Sequence, residues 1–267
     1  MSRPWSERVR VRLGAQAVHG SLSRAWPRRV LARAARTAPA GAPSQPGTLP
    51  DDALIDGLLA ELAGPRSLRG ARLAVEIANA QVQLDIVTGD YRQLGPRRLQ
   101  AIASACASDL LGDDLPGHEI RWHLQPDRRH LLIAALPLAQ AALADAVAAR
   151  HGMALSSLQP AFCAQWQRHA PLLAKGSGVL AMAGDDQVLL ALVAGGIVTA
   201  LATGRWARGD VHPDTGPTAL DMLCGRLLAS QGLDLRAPRS YLLVTDGPAP
   251  GRVSPAWLHA EVEGVAP

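Results

Sequence analysis

The stretch GVLAMAGDDQVLLALVAGGIVTALATGR, residues 178–205, decides the fold of this chain. Three apolar runs are separated by two glycine-containing turns, one of them acidic. Such runs, bounded by Gly and Asp, predict a meander of three antiparallel strands. The predicted strands are 179–183, 188–193 and 197–201, and the turns are Gly184-Asp185-Asp186 and Gly195-Gly196.

Outward from this meander, apolar spacing predicts alternating helices and strands. The predicted helices are 51–62, 96–111, 138–150, 160–170 and 217–230. The predicted strands are a hairpin over 8–21, a strand pair at 73–77 and 82–87 around Asn79-Ala80, a second pair at 119–125 and 130–136, and a last strand at 241–245. Residues 23–50, rich in Arg, Ala and Pro, predict a short basic helix at 25–36 followed by a linker.

This order predicts an α/β protein with mixed sheets. A group of strands followed by a helix occurs both early and late, which indicates two related halves. We therefore expect a basic hairpin at 1–22 that belongs to the first subdomain, a linker at 23–50, and a first half at 51–170. A second half at 171–248 and a loosely attached tail at 249–267 complete the division.

The net charge of +4 is unevenly distributed. Residues 1–36 hold nine arginines and one glutamate, so the rest of the chain is acidic. An arginine-rich segment of this kind can bind anionic lipid or nucleic acid, and the alternative is a solvated arm. No motif for specific nucleic-acid recognition is present. The three cysteines are far apart in sequence and indicate reduced, buried thiols.

From residue 8 to residue 247 the pattern resembles the PilM/GspL family, the actin-like proteins of type IV pilus and type II secretion assembly. The best-matched passages are LLIAALPLAQAALADAVAARHGMALSSLQPAFCAQW (131–166) and the meander. The resemblance implies an actin-like (RNase H-like) duplicated fold with two subdomains around a cleft. The meander is similar to the second phosphate hairpin of that fold.

In the family the first phosphate loop begins with Asp-x-Gly, and the matching residues are Arg12, Leu13 and Gly14. The second Asp-x-Gly matches Met182, Ala183 and Gly184. Each turn glycine is kept, but one carboxylate is replaced by an arginine and the other by a thioether.

Two further positions match the nucleotide site of the family. Asp185 and Asp186 directly follow the second loop and could replace its missing carboxylate. The adenosine loop, a Gly-Gly turn in the family, matches Asp246-Gly247. Mg²⁺ requires oxygen ligands, and phosphoryl transfer depends on positioning and charge neutralisation. The resemblance therefore implies no bound cofactor and no ATP hydrolysis, with Mg-ATP binding as the alternative.

On this resemblance the chain is a non-catalytic scaffold, cytoplasmic and held at the inner membrane by its partner. That partner is the cytoplasmic segment of a single-span assembly protein (a PilN-like peptide), and the motor ATPase is a further expected contact. The alternative is an ATP-binding kinase or ATPase of the actin/sugar-kinase class.

Other constellations are weaker. His118-Glu119 and His123 have one residue too many for the HExxH zinc motif. The alternating Asp210, His212 and Asp214 could converge on a metal ion, and the alternative is an ordinary loop in which Asp214 or Thr215 caps the next helix. An RNase H-like nuclease needs carboxylates on the first strands, where this chain has arginines.

Overall fold

The computed structural model describes residues 7–14, 17–24, 29–38, 50–184, 187–205, 219–233, 240–245 and 257–261. Its strands in chain order are β1 (Glu7–Leu13), β2 (Ala17–Arg24), β3 (Arg29–Thr37), β4 (Arg72–Ile77), β5 (Gln83–Thr88), β6 (His118–Leu124), β7 (His130–Pro137), β8 (Ala154–Pro160), β9 (Ser177–Ala183), β10 (Gln187–Ala194), β11 (Ile197–Arg205), β12 (Ser240–Thr245) and β13 (Trp257–Glu261). The helices are α1 (Asp52–Ala63), α2 (Pro96–Leu111), α3 (Leu138–Arg150), α4 (Ala161–His169) and α5 (Ala219–Ser230).

Two five-stranded sheets have the same topology. The first has the order β3-β2-β1-β4-β8 and the second β11-β10-β9-β12-β13. In each sheet, three strands that are consecutive in the chain form an antiparallel meander: β1, β2 and β3 in the first sheet, and β9, β10 and β11 in the second. The other two strands run parallel to the first strand of the meander, which is β1 or β9. The predicted duplication of the fold is therefore present as two equivalent sheets.

The third sheet has the order β5-β7-β6. Along the chain its strands lie between β4 and β8, the last two strands of the first sheet. The third sheet carries α2, which packs Leu99 and Ala103 against Leu131 and Ile133 of β7. The strands β4 and β5, predicted as neighbours around Asn79-Ala80, therefore lie in different sheets. A single turn of 3₁₀-helix, Asn79–Gln81, carries the chain from one sheet to the other.

The core of the first half lies between its sheet and the helices α1 and α3. Alternate residues of β1 point into it, and Val9 and Val11 are at most 1% exposed. Leu58 and Leu59 of α1 are fully buried. Burial of each such side chain contributes about 1.5–3 kcal/mol, so the apolar face of this sheet is fixed by the helices that cover it.

The ends of α1 follow ordinary capping chemistry. The Asp51 carboxylate accepts a hydrogen bond from the Ala53 amide at 3.0 Å, which satisfies one of the free amides of the first turn. Gly64 ends the helix at a φ of +54°, in the left-handed region that glycine tolerates. Within the described parts of the chain, no helix combines the length and hydropathy needed to cross a bilayer.

Besides the pairing of β4 with β5, three predictions are wrong. Residues 29–37 form β3, not the short basic helix predicted at 25–36 inside a linker, because they pair with β2 along its whole length. Residues 257–261 of the predicted loose tail form β13, which pairs in parallel with β12 as an edge strand. The element order predicted from spacing also omitted β8, which pairs with β4.

Candidate functional site

The two hairpins that match the phosphate loops have equivalent turns. In the first, the Gly14 amide donates to the carbonyl oxygen of Ala17 at 2.9 Å; in the second, the Gly184 amide donates to that of Gln187 at 2.7 Å. A Cβ on Gly14 would lie 2.7 Å from the Ala17 oxygen, closer than van der Waals contact allows. The first turn therefore requires glycine.

Because the two turns are equivalent, positions in the first half can be compared with positions in the second. Arg12 precedes the first turn by two residues, and Met182 precedes the second by two. Arg12 is opposite Glu76 on β4, and Met182 is opposite Val244 on β12. The two places where the family motif has a carboxylate thus lie at matching points of matching sheets.

Arg12 forms an ion pair inside the first sheet. Its Nη2 lies 3.3 Å from Glu76 Oε2, and the two side chains are 7% and 3% exposed. The other carboxylate oxygen of Glu76 lies 3.2 Å from Nε of Arg10. One buried carboxylate therefore serves two arginines of β1.

Burial lowers the pKa of the Arg12 guanidinium from its ordinary value, and the charge and hydrogen bond of Glu76 oppose this decrease. Arginine stays protonated in proteins, so the pair is ionic. Removal of one partner of a buried ion pair destabilises the protein strongly, because the other charge stays buried without compensation. The guanidinium is thus engaged within the sheet, and little of it is exposed to an incoming phosphate.

Met182 is 4% exposed and belongs to an apolar cluster that also contains Phe162 and Val244. Its sulfur accepts a hydrogen bond from Asn79 Nδ2 at 3.8 Å. A thioether is a soft ligand, whereas Mg²⁺ prefers oxygen. The side chain at the second matched position therefore packs as a core residue.

Asn79 connects the two halves beside the turns. While its amide nitrogen faces Met182, its Oδ1 accepts from the amide of Phe162 at 2.8 Å, at the start of α4. Phe162 is fully buried in the same apolar cluster. One side chain that follows β4 thus contacts both the second sheet and α4.

A second contact joins the third sheet to β11. The side-chain amide of Gln125 donates to the Val198 carbonyl oxygen at 2.6 Å and accepts from the Val198 amide at 2.8 Å. Gln125 is 5% exposed and Val198 1%. Leu132 of β7 packs in the cluster of Met182. The face of the second sheet that carries Met182 is therefore packed against neighbouring elements.

Several predicted site residues lie outside the described residues. Asp185 and Asp186, the candidate replacement carboxylates, and Asp246-Gly247, the candidate adenosine loop, are among them. The loop residues Asp210, His212 and Asp214 are also outside.

The motif around His118 does not form a metal site. His118 and His123 lie five residues apart on β6, so their side chains point to opposite faces of the strand. Both carboxylate oxygens of Glu119 are hydrogen-bonded by Arg121, at 2.9 and 2.8 Å. In the described part of the chain, no group of three or more His, Cys, Asp or Glu side chains could hold a metal ion.

Two residues at this site were not singled out from the sequence. Glu76 has a recognisable signal, a lone acid inside the apolar run LAVEIA. Gln125 has none, because its partner Val198 is 73 residues away.

No protein-family model matches the sequence, and no curated protein matches it significantly. Solved structures do match its fold. A Bacteroides thetaiotaomicron protein with an actin-like ATPase fold superposes with a TM-score of 0.60 at 7% identity, over 91% of this chain and 82% of that one. A chain of the PilM–PilN type IV pilus biogenesis complex gives 0.57 at 17% identity, over 86% and 67%.

The cytoplasmic domain of EpsL, an inner-membrane component of the Vibrio cholerae type II secretion system, gives a TM-score of 0.53 at 15% identity, over 97% of this chain and 86% of that domain. At these identities the likeness concerns the fold. The resemblance drawn from the sequence and the duplicated sheets agree with it: this chain has the actin-like fold, in the form also found in PilM and in the cytoplasmic domain of EpsL.

Proposed function

We propose that this chain is a non-catalytic actin-like scaffold of a type IV pilus or type II secretion assembly platform. It binds the cytoplasmic segment of a single-span inner-membrane protein, and this partner holds it at the cytoplasmic face of the membrane. The fold shared with PilM and EpsL supports the kind of assembly.

The observation that carries the non-catalytic part is the state of the two matched carboxylate positions. Arg12 is ion-paired with Glu76, and Met182 is packed in an apolar cluster. Neither side chain can ligate Mg²⁺ or orient an attacking water, which phosphoryl transfer requires.

The competing function is an ATP-binding enzyme of the actin/sugar-kinase class, and the retained turns of Gly14 and Gly184 favour it. Calorimetry of the full chain with Mg-ATP separates the two. The scaffold gives no binding heat and no release of phosphate. Hydrolysis that disappears in the Asp185→Asn and Asp186→Asn double variant would overturn the non-catalytic proposal.

Partner binding needs a separate experiment. A tagged full-length chain, expressed in its own host, is used to isolate complexes from detergent-solubilised membranes. We expect a single-span inner-membrane protein with a short cytoplasmic segment, and a synthetic peptide of that segment should compete for the chain. If the chain stays wholly in the soluble fraction and recovers no membrane protein, the scaffold proposal fails even when ATP does not bind.

A further inference from the structure

A groove of about 600 Å³ lies on the face of the first sheet opposite α1. It is strongly basic. Five arginines and one glutamate line it, among serines and glutamines: Arg8, Arg10, Arg24, Arg72, Arg168 and Glu76. Its volume is within the range of small-molecule sites in proteins, about 300–1,000 Å³.

The charges are arranged along the groove. Glu76 lies toward the hairpin turn, where Arg10 and Arg12 engage it. Arg8 precedes Arg12 by four residues on β1, which is about 13 Å at the rise per residue of a strand. The end beside the turn therefore holds a buried carboxylate among its arginines, whereas the end remote from it, the cationic end, holds Arg8, Arg24 and Arg72.

At the cationic end, two arginines face each other across neighbouring strands, because Arg8 of β1 is directly opposite Arg72 of β4. Arg24 of β2 is directly opposite Glu7, the residue before Arg8. Arg8, Arg24 and Arg72 are all exposed. Among the described residues, the ion pairs of this sheet engage Arg10, Arg12 and Arg36 and none of these three. Like charges directly opposite in a sheet are destabilising, so this arrangement lowers the stability of the free protein.

We propose that the cationic end of this groove binds a ligand that carries at least two phosphate groups. The planar guanidinium fork matches phosphate geometry and binds it with two parallel hydrogen bonds. At neutral pH a phosphate diester carries about one negative charge and a monoester about −1.5 to −2, so two phosphate groups offset most or all of the charge of three arginines. The site lies on the face of the first sheet, at the end of β1 remote from the Gly14 turn.

The phosphates could belong to a soluble molecule or to a lipid headgroup, and two probes distinguish these sources. Inorganic tripolyphosphate tests the first in a thermal-shift and calorimetric titration of the full chain. Phosphatidylcholine vesicles with and without cardiolipin, whose headgroup has two phosphates, test the second by co-sedimentation.

The variant is the double substitution Arg8→Gln and Arg72→Gln. Because it removes a repulsion, it should raise the melting temperature of the free protein. It should also weaken binding of the active probe at least tenfold. The matched control is Arg97→Gln with Arg98→Gln, two exposed arginines of α2, which should bind as the wild type does.

Tripolyphosphate binding that is lost in the Arg8/Arg72 variant supports a soluble ligand, and cardiolipin-dependent binding lost in the same variant supports a headgroup. Binding of neither probe by the wild type overturns the proposal. So does binding that the Arg8/Arg72 variant and the control retain equally. The higher melting temperature of the variant shows that a loss of binding does not come from unfolding.

Discussion

Arg12 and Glu76 form a buried ion pair across β1 and β4, with Nη2 and Oε2 3.3 Å apart. The equivalent positions of the second half hold an apolar pair, Met182 opposite Val244. Both pairs occupy the same point of the same sheet topology. The second half therefore shows which side chains can replace the ion pair in the first.

This relationship gives a stability prediction. The single substitution Glu76→Val leaves Arg12 buried without its carboxylate, which should cost about 3–5 kcal/mol. The double substitution Arg12→Met with Glu76→Val copies the second half, and its free energy of unfolding should return close to that of the wild type. Urea unfolding measures both. Equal loss in the single and double variants would contradict the prediction.

The hairpin glycines should differ in their tolerance of alanine. A Cβ at Gly14 would lie 2.7 Å from a backbone oxygen, whereas one at Gly184 would lie 3.4 Å from the corresponding oxygen. Gly14→Ala should therefore destabilise the protein by about 1–3 kcal/mol, and Gly184→Ala by less. Thermal unfolding of the two variants compares them directly. A larger loss at Gly184 than at Gly14 would contradict the prediction.

Removal of the Gln125 side chain should weaken the contact between the third sheet and β11. Gln125→Ala leaves the buried amide and carbonyl of Val198 without these hydrogen bonds, at about 1–3 kcal/mol for each group. Hydrogen exchange of the β11 amides should accelerate with it. The control is Gln100→Ala, which removes an exposed hydrogen bond to Trp122 and should leave that exchange unchanged.

Cys163 should react slowly with alkylating agents. Burial raises the pKa of its thiol to about 11, and only the thiolate is nucleophilic. At pH 8 the folded protein should therefore alkylate at Cys163 about a hundredfold more slowly than the urea-unfolded chain. The folded-state rate should rise with pH up to about 11, because the thiolate fraction grows over that range. Mass spectrometry of iodoacetamide-treated protein resolves Cys163 from the other two thiols, and equal folded and unfolded rates would contradict its burial.

Most elements were predictable because their periodicity is strong. The helix predicted at 96–111 matches α2 at both ends, since Pro96 and Gly112 mark them. The meander was predictable because apolar runs alternate with glycine turns. In contrast, β3 has the sequence RVLARAART, rich in good helix formers, and it is a strand only because β2 pairs with it.

The candidate site divides in the same way. Arg12, Gly14, Met182 and Gly184 were matched to the phosphate loops through the family resemblance, and the structure brings Arg12 and Met182 to equivalent points of the two sheets; their role stays a prediction. The Arg8–Arg72 opposition could not be predicted, since it depends on the parallel register of β1 with β4, which no local pattern specifies. The contact of Asn79 with Met182 likewise joins residues 103 positions apart.

The equivalence of the two hairpins separates architecture from chemistry at the end of the first strand. The first turn follows an arginine that is ion-paired with a buried carboxylate, and the second follows a thioether in an apolar cluster. The donor–acceptor distances of the Gly14 and Gly184 hydrogen bonds nevertheless differ by only 0.2 Å. The hairpin does not depend on an acidic side chain to hold its shape. The two halves can therefore carry different side chains at the same point of the same sheet while the backbone of the hairpin stays unchanged.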